Sequence, residues 1–246
     1  MNKVIAITSG KGGTGKTTST AAISSCLAML GHKTLCIDFD FRLQNLDLAL
    51  CIEETKISNI MDVANGHIDI MTACIGHDKI KGLFYLSASG SFDQVELNMD
   101  GLGKAFDDIR ENFDYCIIDT PAGIGSGFVL AHTFADSSII VTTGEITAIR
   151  DAQRTAYAIH DCGIKNIRLL VNRVKTRDFK WLRQTIDDMI DTIGVQLIGV
   201  VQEDRAVFRA LHSGVPLMLY APQSSVYEFL DVARRITGEN IPLRLR

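Results

Sequence analysis

SGKGGTGKTT, residues Ser9–Thr18, is the stretch that decides the fold. Gly10, Gly15, Lys16 and Thr17 fit the phosphate-loop spacing G-x-x-x-x-G-K-[ST]. The setting is the one that spacing needs, with the β-branched run KVIAIT (3–8) before it and the helically spaced segment 17–30 after it. Glycines at 10, 12, 13 and 15 let backbone N–H groups turn inward around phosphate oxygens, and the following helix N-terminus adds its positive dipole. Lys16 is placed for the β and γ phosphates and the Thr17 hydroxyl for Mg²⁺. Gly10, Lys11, Gly12, Gly13, Thr14, Gly15, Lys16, Thr17 and Thr18 are therefore the candidate nucleotide-binding residues. The motif explains Lys16 but leaves a second lysine, Lys11, without a role.

Outward from the loop, short apolar runs recur at 33–38 (KTLCID), 83–88 (LFYLSA), 115–120 (YCIIDT), 137–143 (SSIIVTT), 167–172 (IRLLVN) and 195–201 (VQLIGVV). Segments with helical spacing lie between them, among them 102–112, 149–162 and 179–193. Strand and helix in alternation predict parallel strands joined by right-handed crossovers, and strands apolar on both faces predict helices covering both sides of the sheet. The fold class is α/β, a doubly wound, mostly parallel sheet of the P-loop NTPase kind. Ligands in such sheets bind beyond the carboxyl ends of the strands. The polar residues that follow the apolar runs are therefore the next candidates.

Asp119 ends YCIID where a Walker B carboxylate holds a magnesium-bound water. Asp38 and Asp40 alternate with Ile37 and Phe39, so both carboxylates are expected on one side of the strand's end, one for the outer shell of the metal and one for the attacking water. Thr17 and Asp119 are the expected Mg²⁺ residues, Asp38 and Asp40 are the candidates for the metal's outer shell and for the attacking water, and Lys16 is the expected catalytic cation. Asn172 opens NRVK, in which Lys175 stands where a guanine-reading aspartate would be, so adenine is the expected base, with Asn172 and Arg173 near it. ATP and Mg²⁺ are the expected cofactors.

Bulk properties narrow the class further. The chain has 246 residues, 46% hydrophobic and 22% charged, with only 4 prolines, which reads as one P-loop ATPase domain over 1–246 rather than two units on a linker. A net charge of -4 argues against a protein that binds nucleic acid or anionic lipid over its whole surface. The six cysteines form no C-x-x-C pair and several sit in apolar runs, where free thiols behave as small hydrophobes. Met1 runs directly into KVIAIT without a charged leader or a long apolar segment, so a cytoplasmic location is expected. The histidines show no metal-ligand spacing, and His132 and His160 are expected to be satisfied structural residues.

With Lys11 inside KGGTGKT, the loop resembles the deviant Walker A motif of the MinD/ParA family of ATPases, in which the extra residue is called the signature lysine. The resemblance continues through IDFDFRLQNLDLAL (37–50), IIDTPAGIGSGF (117–128), TTGEITAIRDAQR (142–154) and GVVQEDRAVFRALHSGVPLML (199–219), so nearly the whole chain takes part, most closely with the MinD branch. It implies an ATP-dependent homodimer that sandwiches two nucleotides, with Lys11 reaching across to the partner's phosphates. It also implies Asp40 positioning the hydrolytic water, Asn45 as a switch contact, Asp151 at the dimer interface, and a partner protein that is recruited or stimulates slow hydrolysis. The cellular role it implies is spatial regulation of bacterial cell division at the septum. The alternative is a ParA-like partitioning or flagellar-number or secretion-assembly positioning ATPase that acts on DNA or a protein scaffold.

The chain departs from the pattern at Gln202, where the family often has proline, and at Gly125, where MinD proteins often have an acid. Its tail, ITGENIPLRLR, lacks the amphipathic basic helix that MinD proteins usually carry, since Pro242 discourages a helix and Arg244 and Arg246 are too few to anchor one. Peripheral contact at the inner face of the cell membrane remains an expectation drawn from the family. DNA contact through the basic stretch 168–183 is the less favoured expectation.

Overall fold

The computed structural model describes residues 4–41, 44–53, 58–88, 97–175, 179–220 and 225–243, with side chains outside the description at 179–185. In chain order the elements are β1 (Val4–Thr8), α1 (Lys16–Met29), β2 (Thr34–Asp38), α2 (Leu46–Leu50), α3 (Ile60–Ala64), α4 (Ile70–Ala73), β3 (Ile75–Gly76) and β4 (Leu83–Ser87). Then come α5 (Met99–Asn112), β5 (Tyr115–Asp119), α6 (Ser126–Phe134), β6 (Ser137–Thr142), α7 (Ile146–Asp161) and β7 (Ile167–Val174). The chain closes with α8 (Phe179–Ile193), β8 (Gln196–Gln202), α9 (Arg205–His212), α10 (Leu217–Tyr220) and α11 (Ser225–Ile236).

The strands form one sheet in the order β3-β4-β2-β5-β1-β6-β7-β8, parallel throughout except where β3 pairs antiparallel with β4 at the edge. Successive side chains on a strand face opposite ways, which is why these strands are apolar on both faces. In β1, Ile5 and Ile7 pack towards α1 and α11, whereas Val4 joins the cluster built with α3, α4 and α5. In β6, Ile139 and Val141 take the α1/α11 side and Ile140 takes the α7/α8 side.

Two helices show how local sequence serves this layering. In α5, Asn98 caps the first turn by accepting from the Gly101 N–H at 2.9 Å, and Leu102, Ala105, Phe106 and Ile109 recur at helical spacing as its buried stripe. α1 has no such stripe because almost all of it is buried. Its Thr20, Ser24 and Ser25 hydroxyls return to the carbonyls four residues earlier at 3.0, 2.8 and 2.7 Å. Satisfied within the helix, the two serines pack as small residues and let α1 pass close beneath the sheet. All six cysteines are free, and Cys26, Cys36, Cys74 and Cys116 lie buried.

Candidate functional site

β1 is central in the sheet, so the loop that leaves its carboxyl end lies beside the end of β5, with which it pairs in register Ile7 to Asp119. Gly13 and Gly15 adopt φ of +82° and +90°, the left-handed region that glycine enters without a Cβ penalty. Gly15 also fits a second constraint, because a Cβ there would meet the Asn172 Nδ2 at 2.3 Å.

Asp119 gathers the phosphate-side groups. Its Oδ1 accepts from Lys16 Nζ at 2.7 Å and from Thr20 Oγ1 at 2.9 Å, and its Oδ2 accepts from Thr17 Oγ1 at 2.7 Å. The ion pair is buried, with side-chain exposures of 9% and 2%, and the hydroxyls satisfy the lone pairs that Lys16 leaves free. Thr20 was not legible as a site residue, although a hydroxyl one helical turn beyond Lys16 faces the same way.

Asp38 is fully buried at the end of β2, in register with Asp119. Its Oδ1 accepts from the Asp40 N–H at 2.9 Å and its Oδ2 from the Leu46 N–H at 3.0 Å. Burial first, and then the charge of Asp119, push its carboxyl up to about 6, against the pull of those two N–H groups and Lys16. The strand stops at Asp38, whose carboxylate turns back to hold the loop carrying Asp40, while Asp40 itself is half-buried. Each Asp38 oxygen thus already serves the backbone, which makes it a loop staple before anything else. Asn45 is exposed and precedes α2 without a side-chain cap.

Asn172 is buried beneath the phosphate loop, where its Nδ2 donates to the Thr14 carbonyl at 2.8 Å. Arg173 is exposed and donates to the Gly13 carbonyl at 3.0 Å and to Glu203 Oε1 at 3.1 Å. Both residues therefore brace the loop, a role that the sequence, which placed them near the base, did not show. They also line a cleft open to solvent, with Gly15, Thr18, Gln202 and Phe208 among its other walls.

Lys11 lies on the exposed side of the loop, with its Nζ 2.8 Å from Glu145 Oε2 and 3.4 Å from Thr147 Oγ1. The Lys11 ammonium holds the Glu145 carboxyl below the ordinary range. Glu145 escaped the sequence reading because 134 residues separate it from Lys11. Asp151 lies on α7, and its carbonyl approaches Gly10 so closely that a Cβ at Gly10 would meet it at 2.6 Å. In the basic stretch, Arg173 and Lys175 are exposed, Arg177 and Asp178 fall outside the described residues, and nothing is described of the Lys180, Trp181 and Arg183 side chains. Arg244 and Arg246 also fall outside the described residues. His132 is a buried core residue between α6 and β6, bonded to the Phe128 carbonyl at 2.7 Å and Ser138 Oγ at 3.1 Å.

The residues present suit a Mg-nucleotide. Thr14 Oγ1 is buried without a hydrogen-bond partner among the described residues, in the middle of the loop. The two left-handed glycines form a backbone concavity of the kind that takes anions. Thr17 and Asp119 supply the hard oxygen donors that Mg²⁺ prefers.

Comparison with known proteins agrees with this geometry. A family model described as an AAA domain matches residues 2–170. The septum site-determining protein MinD of Synechocystis sp. is 37% identical over 245 residues, covering 98% of this chain and 92% of that protein. The MinC:MinD cell division protein complex of Aquifex aeolicus superposes with a TM-score of 0.88 at 34% identity, covering 98% of both chains. MinD of Pyrococcus horikoshii, solved with Mg-ADP, superposes with a TM-score of 0.77 at 26% identity over 96% of each chain. With a signature lysine, a phosphate loop and a Walker B aspartate in these positions and MinD relatives along its whole length, the chain belongs to the MinD/ParA family of P-loop ATPases.

Proposed function

We propose that this chain is a MinD-like spatial regulator of cell division, one ATPase domain over residues 1–246 that binds Mg·ATP, dimerises on it and is reset by hydrolysis. The observation that carries the reading is the buried cluster of Lys16, Thr17 and Thr20 on Asp119, set at the mouth of a left-handed glycine loop. That arrangement gathers the cation, the metal-binding hydroxyl and the metal-side carboxylate of phosphoryl transfer within one hydrogen-bonded group.

Mg²⁺, when bound, would supply positive charge against the charge that develops on the phosphates. Thr17 and Asp119 would hold it, with Asp38 acting behind them by fixing the loop after β2. Lys16 is the cation for the β and γ phosphates. Asp40 orients the attacking water, and its placement rests on the Asp38 carboxylate that accepts its N–H. Lys11 supplies a second cation across a dimer interface, which makes association depend on the γ-phosphate.

Hydrolysis is slow and is stimulated by a partner protein, and the MinC of the Aquifex complex is the kind of partner the dimer would recruit. The protein works in the cytoplasm with peripheral contact at the inner face of the membrane. Among the described residues no helix is long and apolar enough to cross a membrane. The test is ATP turnover with and without Mg²⁺ in wild type and Asp40→Ala. Mg-dependent hydrolysis that Asp40→Ala loses while still binding ATP supports the reading, and turnover at the wild-type rate by Asp40→Ala contradicts it.

A further inference from the structure

Arg173 has a backbone that few arginines adopt. Its φ is +57°, in the left-handed region, within β7 and inside the register shift between Val171 and Val174. A non-glycine residue held there stores strain, and such strain persists where surrounding structure requires it. Here the irregular turn aims the guanidinium at two places at once. One arm donates to the Gly13 carbonyl, 160 residues away in the phosphate loop, and the other pairs with Glu203 in the loop after β8.

That second loop is itself held from behind. The Gln202 N–H donates to the buried Glu228 of α11 at 2.7 Å, and Asp204 accepts from Ser225 Oγ at 2.9 Å while capping α9 through the Ala206 N–H at 2.8 Å. A bonded path therefore runs from α11 through Gln202, Glu203 and Arg173 to Gly13. It links one wall of the open cleft to the loop beside Asp119.

We propose that Arg173 is a positioning residue that clamps the phosphate loop to the 202–205 wall of the cleft, so that filling the cleft with a nucleobase steadies the phosphate-binding N–H groups. The clamp deepens the nucleotide-binding reading above and rests on it. A planar fork with several donors in fixed geometry suits this double role, whereas a lysine presents a single nitrogen to both acceptors. Arg173 acts through Gly13 and Glu203 and has no direct contact with phosphate.

The experiment is an equilibrium titration of the full chain with a fluorescent N-methylanthraniloyl-ADP and Mg²⁺, on wild type, Arg173→Asn, Glu203→Gln and the double variant. Asparagine tolerates the left-handed backbone, so Arg173→Asn removes the guanidinium without adding strain. Failure of wild type to bind would defeat the nucleotide reading itself. Given wild-type binding, the clamp predicts a loss of about tenfold for Arg173→Asn, a smaller loss for Glu203→Gln, and a double variant no weaker than Arg173→Asn alone. It also predicts that pyrophosphate, which leaves the cleft empty, loses much less affinity than the nucleotide does. Losses that multiply in the double variant, or binding by Arg173→Asn within twofold of wild type, would overturn the clamp. An Arg173→Asn loss as large for pyrophosphate as for the nucleotide would overturn it too, because it would mark a direct phosphate contact. A second reading of the thermal midpoint without nucleotide checks that Arg173→Asn folds as wild type does.

Discussion

Three glycines of the phosphate loop separate the two costs that hold its shape. Gly12 lies outside the left-handed region and a Cβ there meets nothing within 4 Å. Gly13 has φ of +82° but open space around a Cβ, and Gly15 has φ of +90° with the Asn172 Nδ2 2.3 Å from where the Cβ would sit. Alanine at 12 should therefore cost the folded state no more than about 0.5 kcal/mol. Alanine at 13 should cost roughly 1–2 kcal/mol of left-handed strain. Alanine at 15 carries that strain and also displaces Asn172 from the Thr14 carbonyl, a buried bond whose loss costs about 1–3 kcal/mol, for a total of about 2–5 kcal/mol. Loss of unfolded-state freedom offsets each value by about 0.4–1 kcal/mol, equally for the three, so the differences survive. Urea unfolding of the nucleotide-free protein reads them as shifts in midpoint at constant slope. Equal stability of the 12 and 15 variants would refute the role given to Asn172 as the prop beneath the loop.

Asp119→Ala leaves the Lys16 charge buried without its partner and should cost about 3–5 kcal/mol, while the Lys16→Met, Asp119→Ala double variant should be more stable than Asp119→Ala alone. A single-variant loss under about 1 kcal/mol in the same unfolding assay would show that the pair is not the buried anchor described. His132, buried between α6 and β6, has its pKa lowered to about 4 by desolvation, against 6.5 ordinarily. As pH falls from 7 towards 4 the unfolded chain takes up that proton first, so stability is lost over that window, by about 2 kcal/mol between pH 7 and 5. Asp38, raised to about 6, works in the opposite direction, so the measurement is the difference between wild type and His132→Gln, in which Asp38 cancels. A pH profile identical in the two proteins would contradict the buried neutral imidazole.

The sheet was legible because its signal is local. Runs such as KTLCID and YCIIDT became β2 and β5 with their ends shifted by one residue, since strands buried on both faces write themselves as continuous apolar stretches. The short α3 and α4 and the two-residue β3 were not legible, because four or five residues give too little periodicity to read and an antiparallel edge pair depends on a distant strand. The same division runs through the site. Gly13, Gly15, Lys16 and Thr17 follow from spacing alone. Glu145, Glu203 and Thr20 belong to it through contacts spanning 134, 30 and 99 residues, which no window of sequence contains. Asp38 was read as a metal residue from its position at a strand end; what that position could not show is that its neighbours in space, the N–H groups of Asp40 and Leu46, also make it the residue that shapes the following loop. Arg173 was placed near the base by its neighbour Asn172, and only the irregular end of β7 shows where its side chain goes.

The central claim is that Lys11 makes association depend on ATP. In the single chain its ammonium is tied to Glu145 on an exposed surface, a solvent-screened pair that a multiply charged phosphate would readily displace. The direct measurement is the molar mass of Asp40→Ala protein in solution by light scattering after size exclusion, with Mg·ATP and with Mg·ADP, alone and combined with Lys11→Ala. A mass twice that of the chain with ATP, falling to one chain with ADP and with ATP in the Lys11→Ala combination, is the predicted result. An ATP-dependent dimer that persists without the Lys11 ammonium would contradict the account.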